Sequence, residues 1–87
     1  MILKTNRMIL KILSILEKDK HTAEEITSII KKSPWYWLEY MSRMGFVRKL
    51  WSEVGTVDIY HTLYNGGLKL SWQITDYGKK KLAFLRG

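Results

Sequence analysis

SPWYWLEYMSRMGFV, Ser33 to Val47, reads as one helix with a start and a stop written into it. Serine is a good N-cap and proline is favoured at the first helical position, so the helix should open at Ser33-Pro34. Leu38 and Met41, with Met44 at the margin, recur at helical spacing and predict the inward face. Gly45 suits the left-handed residue that ends a helix. From Phe46 the pattern changes to a period of two. Trp35, Tyr36, Trp37 and Tyr40 crowd the first half of the stretch. What those rings touch decides what the helix is for.

Upstream, Thr22-x-x-Glu25 is a capping box, and Ile26, Ile29 and Ile30 supply a short apolar face before Lys31-Lys32 ends it. Two short helices joined by about three residues form a helix-turn-helix arrangement. Further upstream, Ile9, Ile12, Leu13 and Leu16 recur at i, i+3, i+4 and i+7. Met8 and Ile15 widen that stripe. This first helix should begin near Thr5 or Asn6 and end by Asp19.

Downstream, Phe46 to Trp51 reads as a strand, and Val57, Ile59 and Leu63 alternate with Asp58, Tyr60 and Thr62. Leu68, Leu70, Trp72 and Ile74 alternate with Lys69, Ser71 and Gln73. Asn65-Gly66-Gly67 predicts a hairpin turn, because Asn and Gly tolerate positive φ. Gly55 marks either a bulge or a second turn. Thr75-Asp76 can cap a last short helix carrying Leu82 and Leu85 with Lys79, Lys80 and Lys81. The order is helix, helix, helix, β-hairpin, helix, an α+β fold. Its parts should be the helix-turn-helix at about 22–45, a hairpin at about 46–75 and a C-terminal helix at about 76–86, in a single domain over 1–87.

A chain of 87 residues suits one domain. It contains no cysteine, which excludes a disulfide framework and a thiolate metal site. The apolar run Met8–Leu16 is interrupted by Lys11 and Ser14 and is too short to span a bilayer. A cytoplasmic, intracellular protein is the expectation. Fifteen Lys and Arg against eight Asp and Glu leave +7, a balance that attracts polyanions, nucleic acid foremost. The charge sits toward the ends: residues 21–45 hold three basic and three acidic side chains.

Two stretches together resemble the winged helix-turn-helix family of small bacterial and archaeal regulators, PadR-like and MarR-like proteins among them. Met44-Gly45-Phe46-Val47-Arg48 is similar to the small-Gly-Leu-Val-basic segment where a recognition helix turns into the wing. Trp72-Gln73-Ile74-Thr75-Asp76-Tyr77-Gly78-Lys79-Lys80-Lys81-Leu82 is similar to the aromatic-x-Leu-Thr-x-x-Gly-x-x-x-Leu segment that closes the wing. The resemblance covers nearly the whole chain. It implies a transcriptional regulator that binds double-stranded DNA, with Pro34–Met44 in the major groove and the Asn65-Gly66-Gly67 tip near a phosphate or the minor groove. It implies homodimerisation through the first and last helices, and a nucleoid-associated location. Small size, lack of cysteine and richness in Ile, Lys and Tyr suggest an archaeal or viral source. The chain departs from the family pattern in three ways. Lys31-Lys32 stands where a glycine and an apolar residue are usual. The middle region is electrically neutral, which is poor for a groove-entering element. The exposed face of the third helix is aromatic where Arg, Asn, Gln, Ser or Thr are typical.

With Leu38 and Met41 inward, helical spacing places Trp35, Tyr36, Glu39, Tyr40 and Arg43 on or near the outward side, with Trp37 between. Tyr36, Tyr40 and Arg43 could read or position a duplex, Arg43 toward guanine or phosphate. Lys31, Lys32 and Ser33 sit at a helix N-terminus, where amides and dipole favour an anion, and form the first phosphate-contact candidate. Arg48 and Lys69 near the wing come next, with Asn65 and Gly66 at its tip. Three readings of the aromatic face stand open: support for the core, contact with DNA, or a docking surface for a protein partner on Trp35, Tyr36 and Tyr40. The last would make the chain an interaction subunit of a transcription or ribonucleoprotein complex. Stacking on single-stranded nucleic acid is a further option. His21 and His61 share no ligand spacing, and no nucleophile-base set or phosphate-cradling Gly-rich loop can be assembled. No metal, no cofactor and no catalysis are expected.

Overall fold

The computed structural model describes residues 4–53 and 68–87. The elements are α1 (Lys4–Lys18), α2 (Ala23–Ile30), α3 (Trp35–Arg43), β1 (Val47–Glu53), β2 (Leu68–Ile74) and α4 (Asp76–Arg86). Their order matches the expected α+β arrangement of three helices, a strand pair and a last helix. Gly55, the Val57–Leu63 alternation, His61 and the Asn65-Gly66-Gly67 turn lie outside the described residues.

The core is assembled from one stripe of each element. Ile9, Ile12, Leu13 and Leu16 of α1 are essentially inaccessible, as are Ile26 of α2, Leu38 and Met41 of α3, Trp72 of β2 and Leu82 of α4. Each such side chain contributes about 1.5–3 kcal/mol by leaving water. Ile29 departs from the sequence expectation: it is 55% exposed, because eight residues give α2 room for only one inward row, held by Ala23 and Ile26. Met44 is also exposed, lying past the last turn of α3.

The α2 capping box forms as its sequence predicts. Glu25 N–H donates to Thr22 Oγ1 at 3.1 Å, and Thr22 N–H donates to Glu25 Oε1 at 2.8 Å. That backbone bond holds the Glu25 carboxyl below its ordinary pKa, with smaller help from the Thr22 hydroxyl, His21 and Lys69 against the opposing effect of burial.

β1 and β2 pair antiparallel, from Val47 opposite Ile74 to Glu53 opposite Leu68. On the far edge of β2, Trp72 exchanges both backbone bonds with His21, at 3.1 and 2.7 Å. A single residue before α2 thereby joins the sheet, a bridge that no alternation around His21 announces.

A clasp ties α3 to α4. Gly45, at φ 83°, ends α3, and Phe46 N–H donates back to the Met41 carbonyl at 2.9 Å, the six-to-one bond of a Schellman end. Thr75 then uses one hydroxyl twice. Its Oγ1 donates to the Gly45 carbonyl at 2.6 Å and accepts from Gly78 N–H at 2.9 Å, capping α4. Thr75 N–H donates to the Phe46 carbonyl at 3.0 Å. Gly78 runs so close to Phe46 that a β-carbon there would collide with the Phe46 carbonyl and lie 2.9 Å from Ile74 Cγ1. At the far end of α4, the Arg86 guanidinium grips both Glu17 oxygens of α1, at 3.0 and 3.1 Å, and reaches Ser14 Oγ at 3.3 Å.

Candidate nucleic-acid interface

The face begins in the turn between α2 and α3. Lys31 N–H donates to the Thr27 carbonyl at 2.8 Å, and Lys31 then takes φ 63°, ψ 29°. Left-handed backbone of this kind costs a non-glycine residue about 1–2 kcal/mol. Lys31, Lys32 and Ser33 are all exposed.

The start of α3 differs from its sequence expectation. Pro34, not Ser33, occupies the N-cap, at φ −94° and ψ 1°, and no side chain caps the helix. At ψ 1° Pro34 stays outside the helix, so the helix opens at Trp35, one residue later than a Ser33 cap requires. The Pro34 carbonyl accepts from Leu38 N–H at 2.9 Å while its ring is buried. The first-turn amides of α3 therefore point out with no side-chain acceptor, next to two lysines, an arrangement that favours an anion.

Along α3 the four rings divide. Trp35, 44% exposed, sets its edge against Trp72 with centroids 6.0 Å apart at 78°. Trp37 and Tyr40 are half-buried and pack on the core. Tyr40 thus lies further inward than helical spacing alone suggests. Tyr36 is the outward ring, 71% exposed, steadied edge-on against Trp37 at 4.8 Å. Arg43, exposed and seven residues on, lies two turns along the same face, about 10 Å away by helical rise. The helix as a whole is about 13 Å long, comparable to the width of a major groove.

Glu39, between them, is held by Lys49 of β1 at 3.2 Å. Lys49 also lies 5.4 Å from the Trp72 ring centroid. This pair neutralises the one acid on the outward side of α3. Sequence reasoning named Arg48 near the wing and did not weigh Lys49; Phe46 and Val47 are both buried, which leaves the strand parity ambiguous. In the structure Lys49 lies opposite Trp72, on the side that touches α3. Arg48 pairs with Gln73 on the other face of the sheet, its Nε donating to Gln73 Oε1 at 2.8 Å, in a hollow shared with Thr75, Asp76 and Lys79. Lys69, opposite Ser52, shares that parity, and its charge reaches Glu25.

Lys31, Lys32, Ser33, Trp35, Tyr36 and Arg43 are all exposed along the α2–α3 turn and α3, with Lys49 paired to Glu39 of the same helix. Tyr40 backs that surface, and Arg48 and Lys69 belong to the opposite side of the sheet. Asn65 and Gly66 lie outside the described residues. Among the described residues no three potential metal-ligating side chains come together, and no helix is long and apolar enough to cross a membrane.

Comparison with protein-family models and with curated proteins finds no match to this sequence. Among solved structures the chain is similar to a PadR family transcription regulator from hypervirulent Clostridium difficile R20291. The two share 21% identity, with a TM-score of 0.73 over 91% of this chain and 82% of the other. At that identity the likeness establishes the fold, a winged helix-turn-helix with a short C-terminal helix.

Proposed function

We propose that this protein binds double-stranded DNA through α3 and acts as a transcriptional regulator inside the cell. The observation that carries the reading is the surface just described: an uncapped helix N-terminus following Lys31 and Lys32, then the exposed outward side chains of Tyr36 and Arg43. A winged-helix fold, shared with a PadR family transcription regulator, supports it. In this reading the Lys31–Ser33 turn and the first amides of α3 hold a phosphate, which fixes register. Tyr36 and Arg43 then meet base edges in the major groove, where Arg43 suits guanine. Lys49 offsets the repulsion that Glu39 would exert on the backbone. The segment with Asn65 and Gly66 serves flanking phosphates, and Lys69 and Arg48, on the opposite side of the sheet from α3, add to the attraction at longer range.

Titrating a labelled duplex and an equal-length single strand from about 50 to 200 mM salt tests the proposal. A protein touching 6–10 phosphates loses roughly 10³–10⁵ in duplex affinity over that range. Weak binding to both at low salt would sink it.

The exposed aromatic edge at Trp35 and Tyr36 favours a second reading, a protein-docking subunit using the same helix. Tyr36→Ala separates the two, because Tyr36 is mostly solvent-facing and its removal spares the core. Loss of duplex affinity supports DNA contact. Unchanged duplex affinity with loss of a protein partner supports docking.

A further inference from the structure

A shallow groove runs between the end of α3 and the outer side of α4, lined by Met44, Phe46, Tyr77, Lys80, Lys81 and Phe84. Phe46 forms its buried floor, and its other large side chains are open: Met44 is 47% exposed, Tyr77 58% and Phe84 76%. Tyr77, Lys80, Lys81 and Phe84 fall at i, i+3, i+4 and i+7, one face of α4. Gly78, Leu82 and Leu85 form a different, inward face. A surface helix needs only one apolar face for its own fold, so α4 has one to spare.

The groove is organised rather than loose. Phe46 and Tyr77 stack at 5.2 Å and 26°. The Lys81 ammonium lies 5.6 Å from the Phe46 centroid and 5.4 Å from that of Phe84, so a positive charge is held over apolar rings. Both charged residues of the lining are lysines, and among the described residues no carboxylate pairs with either.

We infer that this groove docks an acidic segment of another protein, one that carries large apolar anchors between its carboxylates. Charge complementarity chooses the occupant. A second copy placed by a two-fold axis would bring this patch against itself, and its lining holds two lysines and no carboxylate to answer them. A nucleic-acid backbone would satisfy the lysines yet leave Phe84, Tyr77 and Met44 without apolar partners. An acid-rich segment with Leu or Phe anchors satisfies both halves of the surface, and aromatic and Met side chains are the types enriched in interface centres. Met44 directly follows Arg43, so the docked segment reaches the end of α3. This inference stands apart from DNA binding and is tested without DNA.

The probe is a labelled synthetic peptide in which Asp and Glu alternate with Leu and Phe, with a control peptide that has Lys at every acid. Anisotropy should show binding of the acidic peptide alone by the full chain, and amide shift mapping should place it at Met44, Tyr77 and Phe84. Phe84→Ser, at a mostly exposed position, should keep the fold and weaken the peptide about tenfold or more. Equal binding of both peptides, no binding of either, shifts confined to Lys31–Tyr36, or an unaffected Phe84→Ser variant would each overturn the inference. So would a sedimentation mass of two chains that falls to one in Phe84→Ser, since the occupant would then be a second copy.

Discussion

The two ends of α3 are built on opposite terms. At its C-terminus every residue suits its place: Gly45 takes the positive φ, Thr75 satisfies two backbone groups with one hydroxyl, and Gly78 permits contact that no side chain would. At its N-terminus the residues look mismatched. Lys31 takes a conformation better suited to glycine, and Ser33, the natural cap, caps nothing. The difference teaches where the fold is secured and where it gives way to something else. The C-terminal junction locks α3 to the sheet and α4. The N-terminal junction gives up about 1 kcal/mol and keeps two exposed charges beside unbonded amides.

Substitutions can break or sharpen that contrast. The largest effect is expected at Gly78. Gly78→Ala drives a methyl into backbone, and even with the helix propensity it gains it should cost about 3 kcal/mol in urea denaturation. A neutral outcome would mean that the clasp is looser than its geometry. Thr75→Ala removes the α4 cap and the bond to Gly45 together, and should cost about 1–2 kcal/mol in the same assay. Lys31→Gly runs the other way, raising stability by about 1 kcal/mol. If the turn serves a phosphate, that variant also weakens duplex binding and flattens the salt dependence by about 0.9 in slope. Greater stability with unaltered duplex binding would leave the charge at position 31 without a role. Ser33→Ala should change the thermal midpoint hardly at all, within about 0.5 kcal/mol. A loss typical of a helix cap would show that Ser33 does cap α3 in solution.

The same contrast explains what could be read from the chain in advance. Thr22-x-x-Glu25, Gly45 and Thr75-x-x-Gly78 are local devices whose residues carry their own geometry, and the elements they bound lie where the sequence places them. The helical stripe of α1 was equally legible. The failures are tertiary. Ser33 does not cap because Pro34 takes the N-cap place itself, at ψ 1°, and the helix starts one residue later. Tyr40 turned inward because core packing, not an even division of the helix, sets the outward arc. Arg48 and Lys49 could be told apart only once β1 was paired with β2, since a shift of one residue exchanges the faces. The Arg86–Glu17 grip joins residues 69 apart and leaves no trace in local pattern.

The bridge between His21 and Trp72 bears on how the molecule meets its neighbours. An unpaired sheet edge is a template onto which a foreign strand can add. With His21 seated against Trp72, the outer edge of β2 is stoppered where its largest buried side chain sits. A strand adding to β2 there has first to displace His21.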